Sequence, residues 1–198
     1  MAAAMVGVML ACGLGGRAPD GAASIVRASQ DGQRNDDRAN RSRRFDERRD
    51  GPATPRGRVL YSGAIFNRNS GRVIDVANYS REDDANIWQW EFKDTPNQLW
   101  TVIAVGGGQY AILNHGSNKV LEVQQSREAD GASVVQHRWN NGDHQRWRLS
   151  RRGGDAYQIL NVATGKCLDV SRGRRNDGAD IQQWTCTGRD NQEWKLGR

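Results

Sequence analysis

Along the C-terminal part of the chain, apolar and polar residues trade places in short bursts, and turn-forming residues separate one burst from the next. The clearest run is Tyr157-Gln158-Ile159-Leu160-Asn161, then Ala163-Thr164-Gly165-Lys166, then Cys167-Leu168-Asp169-Val170. A polar stretch from Ser171 to Asp177 leads to Gly178 and Ala179, a third burst covers Ile181 to Cys186, and a fourth covers Gln192 to Leu196. Such bursts predict short strands joined by tight turns, and no window carries a sustained helical period.

The pattern returns at a fixed step of 47 residues over positions 63–198. Each copy closes on Gln-x-Trp: Gln98-Leu99-Trp100, Gln145-Arg146-Trp147 and Gln192-Glu193-Trp194. The same step carries Asn67 onto Asn114 and Asn161, and Asp75 onto Glu122 and Asp169, with no insertion. A unit of this length cannot bury its apolar face alone, so the copies must pack on one another. Four strands per copy also suit a propeller blade, but propellers typically close with at least about four blades. Three copies instead predict a closed, threefold, all-β barrel. The recurring Trp100, Trp147 and Trp194 are expected at its centre, where large aromatics bury the most area.

Composition sets the rest of the chain apart. All seven Trp lie between Trp88 and Trp194, whereas positions 27–58 hold one aromatic, Phe45, among many Arg, Asp, Asn and Ser. Such a stretch cannot bury enough apolar surface to offset its ordering entropy, so 24–58 is expected to be a disordered Arg-rich linker. Of the formal +6, positions 27–58 supply ten Arg against six acids, and 59–198 supply eighteen basic residues against sixteen acids. The folded part is therefore near balance, and its charge does not predict nucleic-acid binding. Mixed-sign charge along the linker fits a solvated spacer. The apolar run at 1–16, ahead of Arg17, is too short to span a bilayer. It has the length of a signal-peptide core, without a basic start, and Gly21-Ala22-Ala23 offers a cleavage site. Positions 1–23 are thus read as a leader for export. Leu10 makes the surroundings of Cys12 a poor lipidation site.

The Leu-Asp-Val element at 168–170, the Ile-Gln-Gln-Trp-x-Cys at 181–186 and the closing Asn-Gln-x-Trp at 191–194 resemble the ricin B-type lectins, across essentially all of 59–198. The resemblance implies a β-trefoil, a non-catalytic carbohydrate-binding module without cofactor or metal, and galactose- or xylose-type sugars or polysaccharide as partners. A monomer is expected. It also implies a disulfide between Cys167 and Cys186; the other copies hold Val73 with Phe92 and Val120 with Trp139 at those places. His115, His137 and His144 match no zinc spacing with the cysteines.

A neutral sugar needs a flat apolar face for its C–H surface and fixed partners for its hydroxyls, which aromatics, carboxylates and amides supply. By resemblance the third copy offers the full set, Asp169, Gln182, Trp184, Asn191 and Gln192. The first copy offers Asp75, Trp90, Asn97 and Gln98, with Trp88 in place of the Gln. The second has Glu122, His137 and Gln145, with Val135 and His144 at the two amide positions, so it is read as structural more than ligand-binding. The competing readings are a trefoil that serves protein interaction or structure without sugar, and an enzyme. A glycosidase needs two carboxylates facing one bond, and each copy repeats only one. No Gly-x-Ser-x-Gly elbow is present.

Overall fold

The structure, a computed structural model, describes residues 54–197. The leader expected at 1–23 and the linker expected at 24–58, up to residue 53, lie outside the described residues. Residues 54–58 of the expected linker are described: Pro55 is buried, and Arg58 opens the first strand.

Among the described residues the strands are β1 (Arg58–Gly63), β2 (Ile65–Asn67), β3 (Val73–Val76) and β4 (Ala85–Trp90) in the first copy. The second copy supplies β5 (Trp100–Gly106), β6 (Gln109–Asn114), β7 (Val120–Val123) and β8 (Val134–His137). The third supplies β9 (Trp147–Arg151), β10 (Ala156–Asn161), β11 (Cys167–Val170) and β12 (Ala179–Trp184), and β13 (Trp194–Leu196) ends the series. Only single 3₁₀ turns interrupt them. The all-β, threefold expectation holds.

Register makes the symmetry explicit. β5 pairs with β6 at Trp100 and Asn114, β9 with β10 at Trp147 and Asn161, and β13 with β2 at Trp194 and Asn67. Neighbouring copies join at Gly63 with Trp100, Tyr110 with Trp147, and Tyr157 with Trp194. These pairings close a ring, so the barrel leaves no edge in that circuit. Hairpins β3–β4, β7–β8 and β11–β12 complete the copies.

Inside, Trp100, Trp147 and Trp194 are fully buried with Ile74, Leu121 and Leu168 among their core partners. Each indole N–H donates to a backbone carbonyl, of Ile74, Leu121 and Leu168 respectively, at 3.0 Å in all three. The polar edge of each ring is thus satisfied where water is excluded. Asn67, Asn114 and Asn161 are buried as well. Each side-chain amide donates to a carbonyl of the segment preceding a Gln-x-Trp, at 3.1, 3.0 and 3.0 Å, while each side-chain oxygen accepts from its own turn. The tight turn that follows needs a left-handed residue, supplied by Gly71, Asn118 and Gly165 at φ of 70, 57 and 69°.

Two further sets of residues link the copies in a circle. Gln89, Gln136 and Gln183 are fully buried. Gln89 donates to the carbonyls of Arg174 and Asn176, Gln136 to those of Ser80 and Glu82, and Gln183 to those of Arg127 and Ala129. Every strand of this kind therefore fastens a loop of another copy. Asp83, Asp130 and Asp177 work in the same sense, accepting from the backbone N–H of Arg138, Thr185 and Glu91. Each also pairs with a cation, Lys119, Lys166 or Arg72. Lys166 beside Asp130 holds that carboxyl below its usual range.

Candidate functional site

The third copy brings its five expected residues to one cavity of about 680 Å³. Asp169 is carried by β11, the fully buried strand Cys167–Val170, and is itself only 4% exposed. Its Oδ1 accepts from the Gln182 amide at 3.0 Å, and its Oδ2 accepts from Asn191 at 2.8 Å and Gln192 at 2.9 Å. Burial pushes the Asp169 carboxyl up from the ordinary carboxylate range, and the three amides pull against it. Gln182 and Trp184 stand two apart on β12, and so on one face of the strand. Trp184 is 40% exposed, an unusual place for so large an apolar ring. A side chain added at Gly131 of the second copy would meet that ring at 3.7 Å, so the neighbouring loop lies against it.

Gln192 differs from the others. It is buried, and besides Asp169 it donates to the Thr185 carbonyl at 3.0 Å and accepts from the Thr187 N–H at 2.7 Å. Gln98 and Gln145 repeat this arrangement, donating to Asp75 at 2.8 Å and Glu122 at 2.6 Å. The polar atoms of these Gln are committed to holding the carboxylate and the loop before Gln-x-Trp.

The first copy forms a second, smaller cavity of about 170 Å³ that Asp75, Trp90, Asn97 and Gln98 all line. Trp88 replaces the expected Gln without losing the bond, because its indole N–H donates to Asp75 Oδ1 at 2.6 Å. Trp88 and Trp90 lie 4.9 Å apart between ring centroids, inclined by 38°, and Lys93 Nζ stands 5.9 Å from the Trp90 ring. Burial raises the Asp75 pKa, opposed by the Trp88 and Gln98 hydrogen bonds. Asn97 donates to the Val76 carbonyl at 3.1 Å, and its own carbonyl oxygen is buried with no partner. Sequence reasoning missed Tyr79, which lines this cavity, is 63% exposed and holds a left-handed φ of 56°. An aromatic in that region is a strained choice.

In the second copy, His144 Nε2 and His137 Nδ1 close over Glu122 Oε2 at 3.6 and 3.9 Å, and Val135 is buried. Imidazole takes the places of the third copy's stacking ring and second amide. The disulfide joins Cys167 and Cys186. Its counterpart in the first copy includes a contact of Phe92 with Phe66, ring centroids 5.4 Å apart.

A threefold β-barrel with a buried carboxylate beside an indole in each of two cavities points to a carbohydrate-binding class of protein. The chain belongs to the ricin-type β-trefoil lectin domain family, which matches residues 61–194. It is similar to ThreeFoil, a designed threefold-symmetric protein, at 36% identity and TM-score 0.68 over 69% of this chain and 98% of that one. It is also similar to an exo-β-1,3-galactanase from Clostridium thermocellum, at 35% identity and TM-score 0.68 over 73% of this chain and 31% of that one. The hemolytic lectin CEL-III matches at 26% identity and TM-score 0.63 over 72% of this chain and 31% of that one. The match thus spans about a third of the galactanase and of CEL-III. No curated protein matches the chain. No helix among the described residues is long and apolar enough to cross a membrane.

Proposed function

We propose that the domain is a non-catalytic lectin that binds sugar in its third and first copies. The observation that carries this reading is Asp169, fixed by three amides beside the exposed ring of Trp184. A carboxylate offers about four lone-pair sites. At Asp169 three are taken and one is left for a ligand hydroxyl; at Asp75 two are taken, by Trp88 and Gln98. Gln182 and Asn191 orient the carboxylate and present their remaining polar atoms to neighbouring hydroxyls. Trp184 stacks on the C–H face of the ring, and Trp90, with Tyr79 on the same cavity, does so in the first copy. Catalysis has no support here: Asp169 is fixed by three amides, and the other carboxylate of its cavity, Asp190, lies 3.8 Å from Arg68.

Galactose-type ligands are the first to try, because the 35% identical region belongs to a galactanase; xylose-type ligands follow. The second copy serves as a structural partner of the other two. Export of the protein is supported by the disulfide, since such bonds persist in oxidising compartments. Calorimetry with millimolar galactose and xylose tests the reading. Binding is expected in the unmodified chain, and Trp184→Ala should weaken the third copy's share by about 1 kcal/mol, roughly fivefold. Binding that survives Asp75→Ala together with Asp169→Ala overturns it.

A further inference from the structure

We infer that the third copy's cavity takes an acidic oligosaccharide, in which the sugar seated at Asp169 and Trp184 carries a uronate neighbour held by Arg172 and Arg189. The inference rests on the sugar-binding reading above and specifies its ligand. Size is the first ground. The cavity measures about 680 Å³ against about 170 Å³ in the first copy, which leaves room beyond a single ring.

Charge is the second. Arg172 and Arg189 both line the cavity and are exposed, and neither makes a side-chain hydrogen bond or ion pair among the described residues. Other cations nearby are either paired, Arg68 with Glu193 and Asp190, Lys166 with Asp130 and Arg72 with Asp177, or lie off the cavity lining, as Arg174 and Arg175 do. Arg172 and Arg189 are therefore the unpaired guanidinium groups that an anion in the cavity would meet. A guanidinium presents a planar fork that matches a carboxylate bidentately.

Backbone cost is the third ground. Arg172 holds a left-handed φ of 58°, as Asn78 and Gln125 do in the other copies at 55 and 54°. A non-glycine residue gives up roughly 1 kcal/mol in that conformation, least where Asn stands. Arg172 recovers none of it through an internal bond of its side chain. The first and second copies carry Thr95 and Gly142 at the place of Arg189, so the cation pair belongs to the third copy alone.

The full chain with Asp75→Ala, which removes the first copy's carboxylate, is titrated by calorimetry at low and physiological ionic strength. The probes are a neutral galactose-containing disaccharide, the same disaccharide bearing a uronic acid, and its sulfated form. The uronate should bind about tenfold tighter than the neutral sugar at low salt, with the advantage shrinking as salt rises. Arg172→Gln with Arg189→Gln should abolish that advantage and leave neutral affinity within about twofold; Gln125 already occupies the equivalent turn, so the fold tolerates the change. Equal binding of neutral and uronate probes, retention of the preference in the double variant, or a stronger preference for sulfate overturns the inference. Trp184→Ala separates the two proposals. Neutral binding that ignores this change defeats the sugar-site reading, whereas uronate binding that alone ignores it marks plain ionic attraction and defeats the acidic-ligand inference.

Discussion

Replacing Gln192 by Ala separates a residue that holds the site from one that touches the ligand. The Gln192 side chain is 1% exposed and makes hydrogen bonds to Asp169 Oδ2, the Thr185 carbonyl and the Thr187 N–H at 2.9, 3.0 and 2.7 Å. At a net 0.5–1.5 kcal/mol each, with the charged partner toward the upper end, the three sum to about 3 kcal/mol. That loss is a large part of a typical domain's roughly 5–15 kcal/mol, yet it leaves the native state populated. Asp169 keeps Gln182 and Asn191, so the carboxylate stays near its place and affinity should fall by no more than about tenfold. Urea denaturation followed by Trp fluorescence gives the stability, and calorimetry under native conditions gives the affinity. Gln182→Ala, on a half-buried residue, should reverse the pattern, with stability within about 1 kcal/mol and a larger loss of binding. If Gln192→Ala left stability within about 1 kcal/mol while abolishing binding, its assignment as a positioning residue would be refuted.

Two other outcomes follow from the same geometry. Cys167→Ser with Cys186→Ser should cost about 3 kcal/mol of unfolding free energy on the chain-entropy estimate, whereas Cys167→Val with Cys186→Phe, the pair standing in the first copy, should recover part of it; equal losses in both variants, read from denaturation midpoints, would contradict the view that apolar packing replaces the bridge. Acidification should weaken sugar binding before it unfolds the domain. Burial raises the Asp75 and Asp169 pKa values above their unfolded values, so the native state takes up these protons first, and their contribution to stability rises as pH falls through that window. Binding needs the ionised form and is lost over the same window. Asp130 and Asp155, held low chiefly by Lys166 and Lys195, contribute stability that is lost only as pH falls below the ordinary carboxylate range. Affinity and circular dichroism that disappear together would contradict this order.

The fold was legible because its determinants recur. A step of 47 residues that superimposes Trp100, Trp147 and Trp194 leaves few architectures able to bury them together. The same step also marks Gln89, Gln136 and Gln183, and Asp83, Asp130 and Asp177, but residue type alone does not distinguish a buried Gln that bridges copies from a solvated one. The candidate cavities were legible where chemistry repeats, as at Asp75 and Asp169. They were obscured where a different residue delivers the same bond, as Trp88 does for Gln182. Tyr79, Arg172 and Arg189 have no equivalents of the same type in the other copies, so no periodic signal points to them.

The circular fastening of loops explains why a copy with altered ligand chemistry is not free to drift. Gln183 and Thr185, which flank Trp184, are gripped by Arg127, Ala129 and Asp130 of the second copy. Selection for sugar affinity in one copy therefore reads the sequence of another. A linear array can lose a terminal unit and keep the rest; here removal of any unit opens the ring and frees a strand that the unit had fastened. The second copy, none of whose residues lines the third copy's cavity, still holds the strand that carries its ring.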